Sequence, residues 1–309
     1  MKKLSSSSVF VLVAGLAIGG VGGLGGLGGQ ALAQVPFTYL AIGDSVGFGI
    51  TTGASYTQLS NGDRGYVSQY GNYLQTQNAG LRPTVVNASV FGDNSGSFFD
   101  TSNPARFLNT NYPSPPAAVS QRDRVLTEIA TAAALGRPVT RVTVSMGAND
   151  LLSVIQQPGF LLLPTAQQGA LVFGALNAMT TNLSTLYGTL RAALPTAEIV
   201  AVGYYDPFAV LPGNPNPALT SGAIITLNSI ISDVSTFFGA RYVDVYAAFS
   251  GNEGVLTNML LDQTTTAPNV HPTDAGYTVI ANQIIPTPGA GLVVAMGVLV
   301  MARRRRVTA

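Results

Sequence analysis

Apolar residues along this chain fall into two rhythms. Short unbroken runs at 38–42, 84–90, 139–146, 198–203 and 241–245 do not alternate with polar residues. That is the pattern of strands covered on both faces. Longer segments between them space their apolar residues three and four apart. Tyr66, Tyr70 and Tyr73 share one face of a predicted helix at 65–77. Ile224, Leu227, Ile231, Val234 and Phe238 do the same at 218–238, with Gly239 placed to stop it. Further helices are expected at 119–134, stopped by Gly136 and Pro138, at 165–194, closed by Pro195, and at 273–284. Strand and helix therefore alternate, which implies parallel pairing with right-handed crossovers. The expected fold is α/β: a three-layer α/β/α sandwich around a mostly parallel five-stranded sheet. Segments 103–116 and 211–217, rich in Pro and Asn, read as surface loops.

The two ends break this rhythm. Lys2 and Lys3, the apolar stretch 9–18 and Ala31-Leu32-Ala33 have the order of a signal peptide cut after Ala33. An uncleaved anchor helix is the alternative, although the glycine-dense run 19–29 makes a poor helix. At the far end, Pro286-Thr287-Pro288 precedes the uncharged stretch 289–302 and then Arg303 to Arg306. The stretch is short against the roughly 20 residues of a full span. Arginines that follow it would stay cytoplasmic. This order resembles a PEP-CTERM sorting signal, with Pro-Thr-Pro in place of Pro-Glu-Pro. The resemblance implies removal by an exosortase during delivery to the surface of a Gram-negative bacterium; a tail anchor is the alternative. The expected division is a signal peptide at 1–33, a single large domain at 34–285 and a sorting segment at 286–309. Signal peptidase and an exosortase are the implied processing partners, with transient membrane contact through the last segment.

Composition narrows the function. Charged residues make up 9% of the 309, and hydrophobic residues 47%. The first figure is far below the roughly 25% usual in soluble domains; the second supplies a sizeable core. Between the two ends, nine arginines face all fourteen acidic residues, a net −5. An acidic domain with no basic stripe is not a nucleic-acid binder. The absence of cysteine excludes disulfides, thiolate-bound zinc and a thiol nucleophile. The single histidine, His271, excludes a multi-histidine metal site. Asp93 and Asp100 fit no EF-hand spacing. No metal and no cofactor are expected.

Polar clusters fall at the ends of predicted strands: Gly43-Asp44-Ser45, Gly92-Asp93-Asn94, Gly147-Ala148-Asn149-Asp150 and Tyr204-Tyr205-Asp206. Ligands of an open parallel sheet sit at these carboxyl ends. Ser45, on a turn after a strand, exposes a hydroxyl. His271 is the only side chain whose ordinary pKa suits a general base near neutrality. Ester hydrolysis needs such a nucleophile and base, with donors for the oxyanion. In chain order these blocks resemble the SGNH, or GDSL, hydrolases. Gly43-Asp44-Ser45 matches the first block, with Val46 for the usual Leu. Asn87 to Gly92 matches the second, Gly147 to Asp150 the third, and His271 the last. The likeness covers nearly all of 37–284. It implies a flavodoxin-like fold, Ser45 as nucleophile and His271 as base. It also implies an oxyanion hole built from the backbone N–H groups of Ser45 and Gly92 and the Asn149 amide. Asp44 and Asp150 read as braces of their turns, and Asp206 and Asp244 as strand-end hydrogen-bonding residues.

One position departs from the family. Pro268 stands three residues before His271, where an Asp ordinarily orients the imidazole. The candidates to replace it are Asn269, a backbone carbonyl, and Asp262 reaching in through a loop. A neutral acceptor still fixes the tautomer but stabilises the imidazolium less. The expected activity is hydrolysis of small-molecule, lipid or acetylated-sugar esters through an acyl-Ser45 intermediate, by a secreted or surface-delivered protein. The alternative is a catalytically weak or inactive surface protein that keeps the fold.

Overall fold

The computed structural model describes residues 34–51, 65–103, 119–213, 216–261 and 269–286. The expected signal peptide, the sorting segment beyond Pro286, Asp262 and Pro268 lie outside the described residues.

The sheet has five strands: β1 (Thr38–Gly43), β2 (Thr84–Asn87), β3 (Val139–Ser145), β4 (Glu198–Val202) and β5 (Arg241–Val243). Their order is β2-β1-β3-β4-β5, and every pairing is parallel. The chain leaves β1 outward to β2 and returns on the other side to β3. This reversal between β1 and β3 opens a crevice at their carboxyl ends. Helices flank the sheet in a three-layer α/β/α sandwich. The longer ones are α2 (Gly65–Gln77), α3 (Gln121–Ala134), α5 (Thr165–Ala193), α6 (Pro217–Phe237) and α9 (Asp274–Ile284). α2 packs against α9, and α5 against α6. Among the described residues no helix is long and apolar enough to cross a membrane.

Every residue of β1 is buried, which is why its apolar run shows no alternation. Burial of polar atoms is compensated locally: Tyr39 and Thr143 pair their hydroxyls across β1 and β3 at 2.8 Å. The Tyr39 and Tyr70 rings meet edge to face at 5.1 Å, tying α2 to the sheet.

Several boundaries differ from the sequence expectation, each for a local reason. β2 ends at Asn87, not residue 90, because Asn87 turns its side chain onto the backbone. Its Oδ1 accepts from the Ser89 N–H at 3.0 Å, and its Nδ2 donates to the Gly47 carbonyl at 2.9 Å. β5 stops at Val243, because Asp244 caps a short helix, α7 (Val245–Phe249), accepting from the Ala247 N–H. Pro217 belongs to no loop. It is the first residue of α6, where its missing N–H costs nothing, and Asn216 is the cap. Three more short helices escaped the periodicity: α1 (Ser45–Phe48), α4 (Ala148–Ile155) and α8 (Glu253–Leu256). Ser45 thus begins a helical turn where a plain turn was expected.

Candidate active site

The nucleophile's position is built from β1. A side chain on Gly43 would run into the carbonyl and hydroxyl of Ser145 on β3, so glycine lets the two strands end side by side. Asp44 then caps α1: its Oδ1 accepts from the Val46 N–H at 2.9 Å. This sets Ser45 as the first residue of the helical turn, 8% exposed. The main chain just before it is clamped by Gln121, the first residue of α3. The Gly43 N–H donates to Gln121 Oε1 at 2.9 Å, and Gln121 Nε2 donates back to the Gly43 carbonyl at 3.0 Å.

The same Gln121 Nε2 donates to Asp93 Oδ2 at 2.7 Å, reaching the loop that follows β2. Fully buried Asp93 also accepts from Asn103 Nδ2 at 2.7 Å and from the Ser97 hydroxyl at 3.0 Å. Next to it, Gly92 has φ +75°, a left-handed conformation that side chains disfavour. β3 contributes Asn149, in the first turn of α4. Its Nδ2 donates to the Asp93 carbonyl at 2.8 Å. An amide nitrogen carries two hydrogens, so a second donor remains for the cleft that Asn149 lines. Asp150 braces the same junction, accepting from the Ser95 N–H at 2.8 Å and the Ser95 hydroxyl at 2.5 Å.

The histidine arrives from the other end of the chain. Asn269 Oδ1 accepts from the His271 backbone N–H at 3.0 Å and lies 2.8 Å from His271 Nδ1. The same amide's Nδ2 donates to the Thr51 carbonyl at 2.9 Å. These two backbone bonds fix which end of the amide is oxygen. Nδ1 must therefore carry the proton, and Nε2 is left as the lone-pair nitrogen. Phe91, adjacent to Gly92, has its ring centroid 6.1 Å from the imidazole. The segment around His271 is held by main-chain contacts. Tyr205 OH donates to the Val270 carbonyl at 2.7 Å, and the Asn258 N–H donates to the His271 carbonyl at 2.8 Å. Asn258 Nδ2 also donates to the Pro272 and Thr51 carbonyls, at 3.0 and 2.9 Å.

Ser45, Asn149 and His271 line one cleft of about 410 Å³, with Leu152, Tyr205 and Ile224 among its apolar walls. Gly92 is not a lining residue, but both of its chain neighbours reach the group, Phe91 at His271 and Asp93 at Asn149. Of the two orienting side chains considered from sequence, Asn269 is in contact with the imidazole. Burial dominates the charges beneath the cleft. It pushes the Asp44 carboxyl up to about 7, against hydrogen bonds from Tyr204 and the backbone that favour the ionised form. It likewise raises Asp150 to about 6. Tyr204 OH donates to Asp44 Oδ2 at 2.6 Å and stays protonated, its pKa raised by burial and by Asp44 itself. Sequence reasoning passed over Gln121, Asn258 and Asn228, which clamps the Tyr204 main chain with bonds of 2.7 Å in both directions. Apart from the Asp93 carboxylate that Gln121 also reaches, their partners are backbone atoms, which leave no residue pattern; only a polar residue in the first turn of a predicted helix marked Gln121.

Fold and site together define a class: an α/β protein of the doubly wound kind, with a serine, a histidine and an amide donor gathered at the β1/β3 reversal. Residues 41–279 match the GDSL-like Lipase/Acylhydrolase family, and the chain belongs to that family. No curated protein matches it in sequence. Solved structures similar to it include the lipase Lip_vut3 from a goat rumen metagenome, 16% identical, with a TM-score of 0.56 over 80% of this chain and 95% of that one. Phospholipase A1 from Streptomyces albidoflavus NA297 is 21% identical, with a TM-score of 0.53 over 81% and 100%. A mutant of Axe2, an acetyl-xylooligosaccharide esterase from Geobacillus, is 17% identical, with a TM-score of 0.52 over 82% and 94%. At these identities the likeness is one of fold.

Proposed function

We propose that this protein is an exported serine hydrolase of carboxylic esters, with Ser45 as nucleophile and His271 as general base. The observation that carries the reading is the Asn269 amide. By holding the proton on Nδ1, it makes Nε2 the nitrogen that can accept one from the Ser45 hydroxyl. Ser45 Oγ attacks the ester carbonyl as Nε2 removes its proton. The oxyanion meets the N–H groups of Ser45 and Gly92 and the second N–H of Asn149. One such donor contributes roughly 2.7–4 kcal/mol in the transition state. His271 then protonates the departing alkoxide, leaving an acyl-Ser45 ester. Water, deprotonated by the same nitrogen, releases the acid and restores Ser45. No cofactor enters any step. Export rests on the order of Lys2, Lys3, the apolar stretch and Ala33, and surface delivery on the Pro286 to Arg306 pattern.

The neutral amide in place of a carboxylate favours one other reading, a surface protein of weak or no activity. Turnover of p-nitrophenyl acetate separates the two. The expected result is hydrolysis that Ser45→Ala reduces by about three orders of magnitude or more. Equal inertness of both proteins across short and medium acyl chains sinks the hydrolase reading.

A further inference from the structure

Beside the cleft lies a second, larger hollow of about 590 Å³, the open space at its mouth included. α4, α5 and α6 wall it, with Leu151, Ile155, Val172, Leu219 and Ala223 among its apolar side chains. Among the described residues, polar side chains enter its lining only as Gln156, Asn216 and Thr220. Apolar walls of this kind favour hydrocarbon over water.

The two spaces stand back to back. Leu152 faces the cleft and Leu151 the cavity; Ile224 faces the cleft and Ala223 the cavity. Phe208 lines both. It sits on a 3₁₀ turn, Pro207–Val210, fastened by a latch and not by a strand. The Phe208 N–H donates to Asp206 Oδ1 at 3.0 Å, and the Ser221 hydroxyl of α6 donates to Asp206 Oδ2 at 2.5 Å. Among the described residues Phe208 alone is shared by the two linings, so one phenyl ring on a short turn stands between the nucleophile's cleft and the apolar chamber.

We propose that this chamber is the acyl-chain site, with Phe208 as the gate that sets chain length. This rests on the ester-hydrolase reading and names its substrate class: esters of linear, medium-length fatty acids in preference to acetyl esters. With the carbonyl at Ser45, the acyl tail passes Phe208 into the chamber and the alcohol points to solvent. An acetyl group leaves the chamber unused. Each methylene transferred from water to such surroundings strengthens binding by roughly fourfold.

The test pairs turnover with binding on the full-length chain. Turnover is measured as kcat/KM on p-nitrophenyl acetate, butyrate, octanoate and laurate. Binding is measured by calorimetry of laurate on Ser45→Ala. From acetate to octanoate, kcat/KM is expected to rise roughly tenfold or more. Thr220→Trp fills the chamber from α6, and it should cut the octanoate-to-acetate ratio by about tenfold or more in a protein that melts cooperatively. Phe208→Ala keeps the test decisive if the tryptophan variant does not fold: removing the partition should shift the optimum toward laurate. An active enzyme with a flat or falling chain-length profile overturns the inference, as does a ratio unmoved in both variants. If no ester is turned over but laurate binds and Thr220→Trp abolishes that binding, the hydrolase reading fails and the fatty-chain site stands. Neither turnover nor binding overturns both.

Discussion

His271 is decided by the atom its ring presents to the protein. Asn269 offers an oxygen because its nitrogen is already committed to the Thr51 carbonyl. An amide in the reverse orientation would impose the wrong tautomer, which in a serine protease triad costs about 10⁴ in kcat. Asn269→Ala should therefore lower kcat by about a hundredfold or more, with KM little changed, in steady-state kinetics. Asn269→Asp places an anion beside the ring and favours the imidazolium. The acid limb of the pH profile of kcat/KM should then move to higher pH; an unmoved limb would show that the side chain at 269 is not coupled to the base. At this scale the sequence was informative where chemistry demands a residue type. Ser45, Gly92, Asn149, His271 and Asn269 could all be named before any coordinates. The clamps could not, because Gln121 and Asn258 act on main-chain atoms of residues distant in sequence.

Elements long enough for several turns or several buried residues were legible: α2 spans 65–77 as the three tyrosines predict, and α5 and α6 end within a residue of expectation. Periodicity needs length, so the four residues of α1 or α8 and the five of α7 leave no rhythm. What marks α1 and α7 is the cap, as Asp44 and Asp244 show. Thr273 is the cap that matters for the site, since α9 begins three residues beyond His271. Its hydroxyl accepts from the Gly276 N–H at 3.1 Å and donates to the Val255 carbonyl at 3.0 Å, linking α9 to α8. Thr273→Ala should cost about 1 kcal/mol of stability, read by urea unfolding, while Thr273→Ser retains most of it.

At the scale of the whole molecule, the low charge content has a consequence in pH. Asp44 and Asp150 hold their protons more tightly folded than unfolded, because burial disfavours their charge. Their stabilising contribution is complete below about pH 4. It is lost as pH rises through about 6 for Asp150 and about 7 for Asp44. The melting temperature should fall between pH 4 and 8, and Asp44→Asn should flatten that slope; an identical slope in the variant would exclude Asp44 as its source. The amide keeps an acceptor for the Val46 N–H, and the Tyr204 hydroxyl can accept where it had donated. Gln121 has a different kind of consequence. One buried side chain holds the strand end before the nucleophile and the loop that carries Gly92. An engineer transplanting the four signature blocks onto another sheet would carry over the visible parts and leave their common fastener behind. The graft would reproduce the list of residues without the spacing between them, and Gln121 would have to travel with it.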